Sequence, residues 1–244
     1  MLLHGLLGSA RNLATLARLL LARSPDLTVV AFDLPGHGQS PPLPPDSDSA
    51  FLARAVLDSV ATLGVTAPLR LVGHSLGGRV ALRAALVQPS VVASLTLLDI
   101  APGRLGAAGE VGRVLDVLAR VPDVVTTRAD ARAALVGGGL APALAEWLLT
   151  NLESVAEGYR WKIDRRALAA LHARIAGEDL WPVVEGPRPY AVRCVRGAHG
   201  YVTDADVRRL QAAGCPVVTI DGAGHFLHAE RPEAVAEAVR ASLA

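Results

Sequence analysis

The sequence predicts an α/β fold in which helices cover a mostly parallel central sheet. Short apolar runs rich in β-branched residues alternate with segments of helical spacing, a pattern typical of parallel sheets. Turns rich in glycine and proline separate these segments. A chain of 244 residues, of which 51% are hydrophobic, is long enough for one such domain with a substantial core.

The predicted elements form two blocks separated by a long insertion. The first block has strands at 1–3, 28–32, 69–72 and 93–98 and helices at 12–22, 49–63 and 76–87. The second block has strands at 190–195 and 217–220 and helices at 204–213 and 233–243. We therefore assign residues 1–101 and 190–244 to the core, and residues 102–189 to a helical cap or lid without a convincing strand.

The lid interpretation rests on position, because loops that follow strand C-termini carry function in open α/β sheets. The alternative is additional packing. Trp147, Tyr159 and Trp161 of this insertion are predicted to shape an apolar substrate pocket, and they are equally compatible with the core of the insertion itself.

Composition restricts the partners of this protein. A net charge of +1, from 24 basic and 23 acidic residues, gives no electrostatic case for nucleic acid or an anionic membrane. No secretory signal and no apolar run of membrane-spanning length is visible. We therefore expect a cytoplasmic protein with a small-molecule substrate. Cys194 and Cys215 are expected to be buried thiols, and the sequence does not predict an oligomeric state.

The motif Gly73-His-Ser75-Leu-Gly77 lies between a predicted strand and a predicted helix. A serine on such a sharp turn has its hydroxyl held above the sheet, and the flanking glycines avoid collisions with the neighbouring strand and helix. The motif therefore predicts that Ser75 is a nucleophile.

A serine hydroxyl needs an adjacent base, and His225 follows the last predicted strand in the loop Gly222-Ala-Gly-His225. The acid that orients this histidine has two candidate positions, and a site without an acid is a further alternative. Asp99 ends the strand before the insertion, whereas Asp204 and Asp206 lie in the first turn of a later helix. The position of Asp99 makes it the preferred acid.

Acyl transfer also needs hydrogen-bond donors for the developing oxyanion. The backbone N–H of Leu76 follows the nucleophile, and the loop His4-Gly-Leu6-Leu-Gly is predicted to supply the N–H of Leu6. His4 is expected to brace this loop. A metal site on His225-x-x-His228 lacks a third ligand at helical spacing, so no metal or cofactor is expected.

Four segments, LLHGLLGS, DLPGHGQS, LVGHSLGGRVAL and GAGHFLHAERPEAV, make the chain resemble the α/β-hydrolase superfamily over nearly its whole length. The segments LTLLDIAP and RGAHGYVTDAD most resemble small bacterial carboxylesterases and acyl-CoA thioesterases of the YbfF type. The resemblance implies an acid after the strand before the lid, which favours Asp99. Some of these relatives have a serine where Gly200 stands here.

The resemblance also exposes one departure. The family has further strands before the HG loop, so the N-terminal strands are expected to be missing, and we hypothesise a late start or a truncation. The resulting prediction is a serine hydrolase of small carboxylic esters or thioesters.

Other reactions on the same scaffold are alternatives. The menaquinone-pathway lyase resembles this chain at DLPGHGQS and LVGHSLGGRV, and ring-cleavage C–C hydrolases share the triad. Both are disfavoured by the missing carboxylate after Val195. Ser75 disfavours dehalogenases and epoxide hydrolases, which have an aspartate nucleophile. A non-catalytic ligand-binding protein would normally have lost one of the three side chains.

Overall fold

A computed structural model describes residues 1–66, 68–105 and 109–241. Its central sheet has six parallel strands in the order β2-β1-β3-β4-β8-β9. The strands are β1 (Leu2–Leu3), β2 (Ala31–Phe32), β3 (Leu69–His74), β4 (Val92–Leu98), β8 (Ala191–Gly197) and β9 (Val217–Ile220). This arrangement confirms the predicted parallel α/β fold.

Eleven α-helices lie within these described residues. Seven belong to the core: α1 (Ala14–Arg23), α2 (Ser49–Thr62), α3 (Leu76–Val87), α8 (Trp181–Glu185), α9 (Asp204–Ala212), α10 (Leu227–Glu230) and α11 (Pro232–Arg240). Four belong to the insertion: α4 (Glu110–Arg120), α5 (Arg128–Gly137), α6 (Pro142–Leu148) and α7 (Arg165–Ala176). Residues 242–243 of the helix predicted at 233–243 lie outside the described residues. Within the part of the chain that the structure describes, no helix is long and apolar enough to cross a membrane.

The register of the sheet brings several strand ends to one edge. His74 at the end of β3 pairs with Leu98 at the end of β4, and Leu98 pairs with Val195 of β8. Because parallel strands end at the same edge, the residues that follow them lie close together there. Ser75 and Asp99 are the first residues after β3 and β4.

β2 forms one edge of the sheet and is shorter than the predicted strand at 28–32. Among the described strands it pairs only with β1, from Leu2↔Ala31 to Leu3↔Phe32. A strand with one short partner has few ladder bonds to extend it, so the apolar run before Ala31 stays irregular.

The chain divides into two compact units. The core unit comprises Met1–Leu34, Ser49–Gly103 and Asp179–Ala244, and the insertion unit comprises Pro35–Asp48 and Arg104–Glu178. The segments 35–48, 102–103 and 179–189 are thus grouped differently from the sequence-based domain bounds. Within the insertion unit, Arg174 donates hydrogen bonds to Asp46 and to the carbonyl oxygen of Ser47.

The insertion unit contains a three-stranded antiparallel sheet in the order β5-β7-β6, with strands β5 (Val124–Val125), β6 (Leu152–Val155) and β7 (Gly158–Trp161). The expectation of a purely helical insertion was therefore wrong. Only Ala156 and Glu157 separate β6 from β7, and neither is typical of a tight hairpin turn. Gly158 adopts the unusual backbone angle instead, with φ of 131°.

Candidate active site

The backbone holds Ser75 in a conformation that few side chains adopt. Its φ is 50° and its ψ is −115°, at the junction between β3 and α3. A Cβ atom on Gly73 would lie 2.3 Å from the carbonyl oxygen of Gly77, and one on Gly77 would lie 2.2 Å from that of Leu3. Both glycines are therefore required for the close packing of strand, turn and helix, as the sequence predicts.

Asp99 is a fully buried carboxylate surrounded by hydrogen-bond donors. Its Oδ1 accepts from the backbone N–H of Gly197 at 3.1 Å, and its Oδ2 accepts from that of Tyr201 at 2.8 Å. Oδ2 also lies 2.8 Å from Nδ1 of His225. Three donors compensate the loss of hydration that an ionised carboxylate would otherwise suffer on burial.

The contact with Asp99 determines which nitrogen of His225 is available for chemistry. With Nδ1–H donating to the carboxylate, Nε2 of the neutral ring has a free lone pair and is able to accept a proton. The loop that positions the ring packs closely against the end of β8. A Cβ atom on Gly197 would lie only 2.3 Å from the carbonyl oxygen of Gly224. The N–H of Gly224 donates to Glu230 at 2.6 Å.

The other two acids have different partners. Asp204 pairs with Arg196 at 2.8 Å. Asp206 accepts hydrogen bonds from the backbone N–H and the hydroxyl of Thr203, in a capping box that begins α9. Of the three carboxylates considered from sequence, Asp99 is the one that the structure brings to His225.

The loop after β1 forms a turn beside the nucleophile. The N–H of Gly8 donates to the carbonyl oxygen of Gly5 at 3.1 Å, and Leu7 between them has a φ of 63°. A Cβ atom on Gly5 would lie 3.3 Å from the Cβ of Ser75, so this turn and the serine are neighbours. Leu6, the predicted oxyanion donor, lies within this turn.

His4 braces this turn, which confirms the structural role expected from sequence. Its Nδ1–H donates to the carbonyl oxygen of Gly5 at 2.8 Å, and its Nε2 accepts from the N–H of Leu34 at 2.9 Å. Burial lowers the pKa of His4, so the ring is held neutral in this tautomer.

His74 lies beside His225, a contact that no sequence motif predicts. Its Nε2–H donates to the carbonyl oxygen of His225 at 2.9 Å, and the two ring centroids are 4.6 Å apart. Burial lowers the pKa of His74 well below its usual value, and the nearby His228 and His225 lower it further. A neutral ring directly before Ser75 is thereby joined to the loop that carries His225.

Tyr201 is a second residue that the sequence analysis missed. Its ring stacks on the ring of His225, with the centroids 3.9 Å apart and an angle of 18° between the planes. No sequence motif marks this contact, because it depends on the path of the loop after β8.

The three aromatic residues of the insertion unit occupy different environments. Trp161 is buried, and its Nε1–H donates to the carbonyl oxygen of Pro122 at 3.1 Å. Trp147 and Tyr159 are partly exposed. The guanidinium of Arg128 lies 5.9 Å from the ring centroid of Tyr159. Their predicted role in substrate binding stays a prediction.

The described part of the chain contains no group of three or more histidine, cysteine or acidic side chains that could hold a metal ion. His228, which the metal hypothesis required, is buried, and its Nδ1 has no hydrogen-bond partner. Burial lowers the pKa of His228 to about 4, with a further contribution from His225. The burial of His228 and its lowered pKa fit a structural role.

Residues 1–238 match the model of a family described as the alpha/beta hydrolase family. The chain belongs to this family. Lipase LipV of Mycobacterium tuberculosis is 33% identical to it, with 90% of this chain and 84% of that protein covered. Esterase YbfF of Escherichia coli is 28% identical, with 98% and 90% covered. The solved structure of a marine microorganism esterase matches with a TM-score of 0.87 at 25% identity, covering 99% and 93% of the two chains.

Membership of the alpha/beta hydrolase family confirms the resemblance inferred from the four sequence segments. In this family the order along the chain is nucleophile, acid and histidine. Ser75, Asp99 and His225 occur in that order, at the ends of β3 and β4 and after β9. In this alpha/beta hydrolase the three side chains thus follow strands that end at one edge of the sheet.

Proposed function

We propose that the protein is a serine esterase or thioesterase that releases small acyl groups through an acyl-enzyme intermediate. The observation that carries the proposal is the 2.8 Å contact between Asp99 and His225 beside the strained Ser75 turn. A buried carboxylate held by backbone amides serves to orient an imidazole and to stabilise its protonated form. The names of the relatives, which include lipases and esterases, support an ester substrate.

In the first half of the proposed reaction, Oγ of Ser75 attacks the acyl carbonyl carbon while Nε2 of His225 takes the hydroxyl proton. The backbone N–H groups of Leu6 and Leu76 donate to the oxyanion of the tetrahedral intermediate. As the intermediate collapses, the bond to the alcohol or thiol breaks, and His225 returns its proton to that leaving group.

In the second half, His225 removes a proton from water, and the resulting hydroxide attacks the acyl-enzyme carbonyl. The bond to Oγ breaks, the carboxylic acid is released, and Ser75 regains a proton from His225. Asp99 stays ionised throughout and holds Nδ1 of the ring. No cofactor or metal is needed for either half.

We also propose that the insertion determines which acyl groups are accepted. The insertion follows β4, and loops after strand C-termini carry specificity in α/β enzymes. Trp147 and Tyr159 are partly exposed aromatic side chains able to form an apolar wall. An acyl-chain-length series with esters and CoA thioesters, measured for Trp147→Ala and Tyr159→Ala, tests this: the preferred chain length shifts if the side chains line the pocket.

Turnover of p-nitrophenyl acetate and butyrate by Ser75→Ala tests the reaction itself. The variant is expected to lose at least about 10³-fold in kcat, because nucleophilic catalysis disappears. Ser59→Ala, on α2, is the matched control and should retain wild-type turnover. Unchanged hydrolysis by Ser75→Ala would remove the basis of the proposal.

A further inference from the structure

Tyr201 is joined to the candidate triad in two separate ways. Its backbone N–H donates to Oδ2 of Asp99 at 2.8 Å, the same oxygen that contacts His225. Its side chain stacks on the His225 ring, 3.9 Å between centroids and 18° from parallel. The main chain of Tyr201 therefore donates to Asp99, the proposed acid, whereas its ring contacts His225, the proposed base.

The stack is the most parallel of the ring contacts described for His225. His74 lies 4.6 Å away at 42°, and Phe226 lies 5.4 Å away at 69°. A parallel ring blocks rotation of the imidazole out of its plane, which the single hydrogen bond at Nδ1 does not prevent. The stack therefore restricts the direction in which Nε2 points.

The electron-rich face of a tyrosine also attracts a cation. His225 becomes an imidazolium each time it takes a proton from Ser75 or from water. A ring stacked on it stabilises that charged state more than the neutral state, in a place where hydration is limited. The His225 side chain is only 10% exposed.

We propose that Tyr201 is a positioning residue that aligns His225 and stabilises its protonated form through the stacked ring. This inference rests on the proposed serine hydrolase function. Tyr201 is 37% exposed, so its side chain is not part of the buried core. Its substitution also leaves the backbone N–H bond to Asp99 in place.

Two variants separate the ring from the hydroxyl. Tyr201→Leu removes the aromatic face, and we expect kcat for p-nitrophenyl butyrate to fall about two- to tenfold with KM little changed. Loss of the cation–π contact destabilises the imidazolium. The acid limb of the kcat/KM profile therefore moves to lower pH, by about half a unit. Tyr201→Phe keeps the face and should match the wild type in both measurements.

The outcomes are distinct. Wild-type kcat and an unmoved acid limb in Tyr201→Leu would overturn the proposal, as would a loss in Tyr201→Phe equal to that in Tyr201→Leu. If Tyr201→Leu lowers the midpoint of thermal unfolding, Tyr201→Met provides a second non-aromatic side chain. Its kcat and the position of its acid limb, compared with those of the wild type and of Tyr201→Phe, then decide in the same way. Labelling of the wild type by a fluorophosphonate is measured in parallel, because absent labelling at Ser75 contradicts the proposed function rather than the role of Tyr201.

Discussion

A methyl group on Gly200 would lie 2.0 Å from Oδ1 of Asp99. Backbone and carboxylate approach so closely because the loop after β8 wraps its amide groups around the acid, through Gly197 and Tyr201. A side chain at position 200 therefore requires Asp99 or this loop to move.

Gly200→Ala should impair activity through this contact. Displacing the carboxylate breaks its alignment with His225, so we expect kcat to fall by at least about 10²-fold and the protein to lose about 1–3 kcal/mol of stability through overpacking. Gly137→Ala is the matched control, since a Cβ atom there meets nothing within 4 Å. Ester hydrolysis and urea denaturation measure both effects. Wild-type values for Gly200→Ala would contradict the described packing.

Asp99→Asn replaces the charged partner of His225 with an amide of similar size. An amide is able to hold the ring in the wrong tautomer and does not stabilise the imidazolium, so kcat should fall about 10³–10⁴-fold. Asp204→Asn should keep wild-type activity, because Asp204 pairs with Arg196 at the surface. The opposite ranking of the two variants would assign the acid to α9.

His74→Leu removes the donor to the carbonyl oxygen of His225. Leaving this partly buried carbonyl oxygen without its donor costs about 1 kcal/mol of stability, and the loop carrying His225 loosens. We expect kcat to fall about tenfold, with partial recovery in His74→Gln, whose amide also donates. Equal losses in the two variants would show that packing, rather than the hydrogen bond, matters at this position.

The burial of His228 makes the free energy of unfolding depend on pH. In the unfolded chain its pKa is near the ordinary 6.5, whereas in the folded protein burial lowers it to about 4. Between these values the unfolded state binds a proton that the folded state does not, so stability is lost as pH falls from about 6.5 towards 4. His228 alone should lower the free energy of unfolding by roughly 2 kcal/mol between pH 7 and pH 5.

His74, whose pKa is also lowered, adds to this loss of stability. Urea denaturation at both pH values measures the change for the wild type and for His228→Asn. The variant should show a smaller difference between pH 7 and pH 5, and an identical difference would contradict the assignment to His228.

Much of the candidate site follows from sequence because it depends on local patterns. The glycines around Ser75 predict the sharp turn, and Asp99 lies at the end of an apolar strand whose parallel neighbours are predictable. The register that places His74 opposite Leu98 then follows from the fold.

Other features depend on the path of loops, which periodicity does not encode. Tyr201 meets His225 only because the loop after β8 turns back towards Asp99. The amide groups that surround Asp99 come from a segment that contains no carboxylate. From the sequence this segment is notable only for the missing acid, whereas in the structure its backbone binds Asp99. The β6–β7 hairpin is not predicted from the sequence, because neither of its two turn residues is typical of a tight turn and Gly158 lies just after them.

The proposed function depends on Ser75 being a nucleophile that His225 activates. Reaction with a fluorophosphonate, followed by intact-mass measurement and peptide mapping, tests it most directly. We expect one adduct located on Ser75, absent in Ser75→Ala and formed much more slowly in His225→Ala. Ester hydrolysis that proceeds without any adduct on Ser75, or an adduct on another residue, would contradict it.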